Sequence, residues 1–175
     1  MKNGLWMCVV LLGVVHGIST DGIEEINANT CCNVDNTKQK EYDEKLEQLM
    51  KDCIEDLGLA NQRKEKQHEA FICVIECVGK KLNVIDDKKQ LNKDNLRNFV
   101  LNDMPLEDHQ RSIADSTIEK CTEMAKTTAN DVNGCSDIIL KVNACLESEF
   151  FKSCPADKQI KSDECAKLRE TVNKA

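Results

Sequence analysis

Sulfur is the chemistry this chain carries in greatest supply, with eleven cysteines among 175 residues against only three histidines. Three uses compete for thiols at this density: metal ligation, nucleophilic catalysis and disulfide bonding. Cys73 and Cys77 are four residues apart and stack on one face of a helix, a geometry that two metal ligands could share. Neither a Cys-x-x-Cys pair nor a paired His motif accompanies them, so zinc is not expected. Catalysis fares no better. His68 and His109 are the histidines that remain once the first segment is set aside, and neither lies in a nucleophile motif. Asp108-His109 reads as a solvated charge pair on a helix surface.

Disulfide bonding fits what surrounds the cysteines. Met1 to Ser19 places Lys2 ahead of an apolar run from Leu5 to Val15 and ends in small residues at Gly17 and Ser19. That run is shorter than the roughly 20 residues a membrane-spanning helix needs, so residues 1–19 are expected to be a secretory signal peptide. Cys8 leaves with it. Ten cysteines then remain, an even number in an oxidising compartment, which allows five bridges. Loss of Lys2 takes the net charge from −7 to −8. An acidic surface of this kind repels phosphate backbones and anionic head groups, which argues against nucleic acid as a partner. Residues 20–175, without repeats, low-complexity tracts or a further membrane-length apolar run, suit a single secreted domain.

The elements that must position these cysteines read as helices throughout. From a cap at Asn36, apolar residues from Tyr42 to Leu57 recur at helical spacing up to Gly58. A second helix is expected from Asn61 through Phe71, Val74, Ile75 and Val78, with Gly79 suited to the left-handed position that closes it. A short helix carries Leu96, Phe99 and Val100. Pro105 is placed at a first helical position, with Glu107 and Asp108 in the first turn ahead of Ile113, Ile118, Cys121 and Met124. Asn133-Gly134 reads as a turn, Ser136 as the cap of a helix through Leu146, and Ser162 as the start of a last one. Strand alternation is hard to find. The pattern predicts an all-α domain of about six helices.

Against that frame the cysteine spacing becomes informative. Nineteen residues separate Cys53 from Cys73, three Cys73 from Cys77, forty-three Cys77 from Cys121, nine Cys135 from Cys145, and eight Cys145 from Cys154. Three between the second and third and eight between the fifth and sixth resembles the six-cysteine signature of insect odorant-binding proteins, with Cys53, Cys73, Cys77, Cys121, Cys145 and Cys154 as the six. The additional Cys135, the Cys154-Pro155 step and the further Cys165 look like the Plus-C subgroup. The segment from Lys81-Leu82-Asn83 to Asn98-Phe99-Val100 also resembles that family.

The resemblance implies that Cys53 pairs with Cys77, Cys73 with Cys145 and Cys121 with Cys154; composition could not choose among about 945 full pairings of ten cysteines. Cys31, Cys32, Cys135 and Cys165 would form two more bridges. Adjacent Cys31 and Cys32 are poorly placed to join each other, so each is expected to tie the N-terminal segment to Cys135 or Cys165. The implied function is carriage of small hydrophobic ligands, odorants or pheromones, through extracellular fluid. A small hydrophobic ligand and a membrane chemoreceptor are the expected partners, with no cofactor and no stable membrane insertion. The helices would surround an internal pocket, with candidate lining Met50, Phe71, Val74, Ile75, Val78, Phe99, Val100, Met124, Leu140 and Phe151. An empty pocket of about 300 Å3 would cost about 7 kcal/mol, which five bridges at roughly 2–4 kcal/mol each could offset.

Two other classes are weighed against the carrier. A secreted helical phospholipase would need a His and an Asp beside a Gly-rich calcium loop, but Asn33-Val34-Asp35 follows Cys31-Cys32 where the His should come. A saposin-like or effector module that binds lipid or protein is the alternative for function. Saposin-like chains are about half as long and space their cysteines differently. A pH-triggered release would rest on His68 and His109, the groups that titrate near neutrality.

Overall fold

The computed structural model describes residues 31–33, 38–63, 66 and 69–174. Among these, the chain forms α1 (Gln39–Asp56), α2 (Phe71–Lys81), α3 (Lys93–Asn98), which runs on as a π-helical turn over Phe99–Asp103, α4 (Asp108–Thr128), α5 (Ile138–Lys152) and α6 (Asp163–Lys174). The domain is all-α, as its periodicity predicts. A two-residue hairpin interrupts it between α4 and α5, with β1 (Asp131–Val132) antiparallel to β2 (Cys135–Ser136). Asn133 and Gly134 form its loop at φ 54° and 82°, the two positive angles that a two-residue type I′ turn demands and that Asn-Gly accepts most readily. The Gly134 amide donates to Asp131 Oδ1 at 2.8 Å and locks the turn.

The principal core lies between α4 and α5. Ile138, Val142, Leu146 and Phe150 recur every four residues along α5 and meet Ala114, Ile118, Cys121 and Ala125 of α4, each set forming one helical face. Val84, Ile85, Leu96 and Val100 close this core from the α2–α3 side. A second cluster joins α1 and α2 through Cys53, Val74 and Val78, with Leu49, Met50 and Ile54 packed against it. A third holds Cys31, Phe151, Cys165 and Val172 where the two ends of the chain meet.

Helix boundaries depart from the sequence reading at four places. The helix expected from Asn61 begins at Phe71, while Asn61 itself lies in a turn. Gly79 is not a C-terminal cap but lies within α2, buried, where an added Cβ would stand 2.7 Å from Ile139 Cγ1 and 3.0 Å from Ile85 Cγ2. The missing side chain is what lets α2 approach the start of α5, and the left-handed residue after α2 is Asn83 at φ 57°. Pro105 precedes α4 instead of opening it. Glu107 is the N-cap, in a reciprocal capping box with Gln110, so two backbone amides are satisfied that a proline start would have left to solvent. Asp137, not Ser136, directly precedes α5, while the Ser136 hydroxyl accepts from the Ile138 amide at 3.3 Å. Gly58 at φ 66° does end the first helix, and Ser162 Oγ accepts from the Cys165 amide at 3.2 Å as a cap for α6. Asn36, the expected cap of α1, and the signal segment lie outside the described residues.

Candidate functional site

Five disulfides divide the molecule into an inner cage and an outer strap. In the cage, Cys53 of α1 is bonded to Cys77 of α2, Cys73 of α2 to Cys135 of β2, and Cys121 of α4 to Cys145 of α5. Cys31 is bonded to Cys165 and Cys32 to Cys154, which makes the strap. Cys53–Cys77 is the pairing that the family resemblance implies, and Cys73 and Cys77 do reach two different neighbours from one helix.

The other two implied pairings are corrected. Cys73 pairs with Cys135, not Cys145, and Cys121 with Cys145, not Cys154. The hairpin explains the first change: it carries Cys135 back over α2, to a Cα–Cα distance of 5.1 Å from Cys73. Beside that bridge, the buried Glu76 carboxylate accepts from the Ser136 amide through Oε2 and from Lys80 Nζ at 2.8 Å through Oε1. Burial pushes Glu76 up, but the hydrogen bonds from Lys80 and Ser136 outweigh it and hold the carboxyl below its ordinary range. Packing of α5 on α4 explains the second. Cys145 lies on the α4-facing side of α5 one turn before Glu149, whose carboxylate pairs with Lys120 at 2.9 Å, next to Cys121. Cys154 lies beyond the end of α5, within reach of Cys32. The expectation that Cys31 and Cys32 avoid each other holds, while Cys135 belongs to the cage and not to the strap.

The order of pairing in the cage is first to third, second to fifth and fourth to sixth, the same order as the implied one. Its membership shifts by one cysteine: Cys135 is the fifth and Cys145 the sixth. The eight-residue spacing from Cys145 to Cys154 pointed to the wrong frame, and the Asn-Gly turn just ahead of Cys135 was the signal that could have corrected it.

The strap is tied by more than sulfur. Cys32 and Gln159 form an antiparallel bridge, the Asn33 amide donates to Lys158 O at 2.8 Å and the Ile160 amide to Cys31 O at 3.1 Å. Lys158 also pairs with Glu107 at 3.1 Å, so the strap is fixed to the start of α4. His109 sits at this junction and is partly buried, not a solvated surface group. Burial and then Lys158 lower its pKa, against Glu107 and Asp108. His68 lies outside the described residues.

The ten candidate lining residues do not form one cluster. Met50, Val74 and Val78 meet in the α1–α2 cluster, Phe99 and Val100 belong to the principal core, and Phe151 packs under the strap. Val100 is fully buried, as tightly packed core. Phe71, Ile75, Met124 and Leu140 are partly buried, with apolar surface left over. An open depression of about 360 Å3 lies elsewhere, lined by Asp86, Gln90, Leu91, Asn92, Lys93 and Asp94. Its rim is polar, and none of the ten candidates touches it. Among the described residues no group of three His, Cys, Asp or Glu could hold a metal ion, and no helix is long and apolar enough to cross a membrane.

Glu147 belongs to no motif in the sequence. It lies on α5, partly buried, with Asn143 Nδ2 donating to its Oε1 at 2.9 Å. Burial outweighs that hydrogen bond and pushes its carboxyl up to about 7. Its neighbours one turn away, Asn143, Ala144 and Phe151, offer no positive charge, and that pattern was visible in the chain.

Such a molecule, all-helical, caged by interlocked disulfides and holding apolar side chains incompletely covered, belongs to the class of small disulfide-bonded binding proteins. The PBP/GOBP family profile matches residues 35–149, about two thirds of the chain, and this chain belongs to that family of insect odorant- and pheromone-binding proteins. No curated protein and no solved structure matches it.

Proposed function

We propose that the protein is a secreted carrier that binds small hydrophobic ligands, odorants, pheromones or similar compounds, and transports them through aqueous extracellular fluid. The observation that carries this reading is unspent apolar surface on a locked frame. Phe71 and Ile75 of α2 and Leu140 of α5 stay partly uncovered although disulfides tie α2 to the hairpin and α4 to α5. A frame that cannot collapse onto such side chains leaves their surface for a ligand. Membership in a family of binding proteins supports a non-catalytic role. Residues 1–19 would direct export, and the strap would mark a Plus-C-like variant whose ends are tied down. A membrane chemoreceptor would receive the ligand.

Displacement of a fluorescent hydrophobic probe by small volatile compounds tests this. Saturable displacement in buffer is the expected result. Probe binding only when vesicles are present would instead make the protein a lipid-interaction module.

A further inference from the structure

Helix α5 has two apolar sides with different partners. Ile138, Val142 and Cys145 face α4, and on that side Glu149 is paired with Lys120 and Lys152. Leu140, Ala144, Glu147 and Phe151 follow one another at spacings of four, three and four, which places them on the opposite side. Leu140, Ala144 and Glu147 are partly buried, while Phe151, at the C-terminal end of the row, is 7% exposed and packs on Cys31, Cys165 and Val172. The strap therefore walls one end of an otherwise apolar row in which Glu147 is the one acidic group.

A carboxyl in such surroundings is ordinarily ion-paired, because an unpaired buried charge is penalised. Among the described residues Glu147 has no ion pair. The lysines of its own helix are engaged elsewhere: Lys141 with Asp137 at 3.1 Å and Lys152 with Glu149 at 3.0 Å. Asn143 donates to Oε1, and among the described residues no group donates to Oε2. An apolar chain there would gain from burial, and a cationic headgroup would supply the charge that the protein does not.

We infer that Glu147 is the polar anchor of the ligand site and that it selects apolar ligands bearing an amine headgroup over those with a hydroxyl or with no hydrogen-bond donor. This rests on the carrier reading. The raised pKa agrees with it, since a neutralising partner is what that carboxyl lacks.

The test measures displacement of a hydrophobic probe from the mature protein by octylamine, 1-octanol and methyl octyl ether at pH 7.5. Octylamine should bind at least tenfold more tightly than the ether, with 1-octanol between them. In Glu147→Gln, an isosteric change that keeps an acceptor for Asn143, the amine preference should fall to within threefold while the ether's affinity stays unchanged. An unchanged preference in that variant, or no headgroup preference in the parent, overturns the anchor and leaves the carrier standing. Failure of all three compounds to displace the probe overturns the carrier and the anchor with it.

Discussion

The cage and the strap use the same bond for different ends. Cage bridges join elements that already pack: α1 to α2, α4 to α5, and α2 to the hairpin, at sequence separations of 24, 24 and 62 residues. Strap bridges span 134 and 122 residues and hold a cluster of four buried residues, half of them cysteines. By loop length alone the strap bridges should stabilise most. They are redundant, however: with Cys31–Cys165 intact, Cys32–Cys154 closes a ring of only about a dozen residues. No other bridge shortens the Cys73–Cys135 loop to a comparable degree. The lesson is that a bridge's value follows the loop that remains once its neighbours are formed.

The largest effects should separate the two regions. Cys73→Ala with Cys135→Ala is expected to lower unfolding free energy by about 4 kcal/mol, and Cys32→Ala with Cys154→Ala by about 3 kcal/mol, from the chain-entropy relation. Denaturant titration of both variants checks this, and a larger loss at the strap would break the comparison.

Glu147 gives the next effect, with a pH signature. Its folded pKa, about 7, is above the ordinary 4.5, so the unfolded state is the better acid. Below pH 4.5 the group is protonated in both states and costs nothing. As pH rises from 4.5 to 7 the folded state loses stability, by up to about 3 kcal/mol. Glu147→Gln should therefore be more stable than the parent at pH 8 and equal to it at pH 4, as read by thermal melts at both values.

Gly79→Ala in the cage should cost about 2 kcal/mol, because a Cβ there would strike Ile139 across a well-packed contact. Ser162→Ala in the strap should cost about 1 kcal/mol by removing the cap of α6. Hydrogen exchange would show the Gly79→Ala loss spread over α2 and α5, and the Ser162→Ala loss confined to α6.

Much of this was legible in the chain. The four-residue recurrence from Ile138 to Phe150, Gly58, Asn133-Gly134 and Ser162 are local signals, and each appears where its chemistry requires. A glycine before two lysines looks like a helix end, whereas Gly79 answers to a close approach by Ile139, sixty residues away. The pairing frame departs from the spacing for a similar cause. Spacing measures distance along the chain, but the hairpin carries Cys135 across to α2 and packing turns Cys145 towards Cys121. The pocket candidates came from helical faces, and a face does not say which of three clusters will cover it. Glu147 reads as a solvated position, one charge within a helical pattern, although the lack of a basic residue one turn away on its helix is visible in the sequence.

The division into cage and strap turns on which cysteines are bonded to which. Partial reduction of the native protein, alkylation and mass-spectrometric mapping of the peptides would decide it. Peptides joined through Cys73–Cys135, Cys121–Cys145 and Cys32–Cys154 are predicted. Recovery of Cys73–Cys145 together with Cys121–Cys154 would contradict the division into cage and strap.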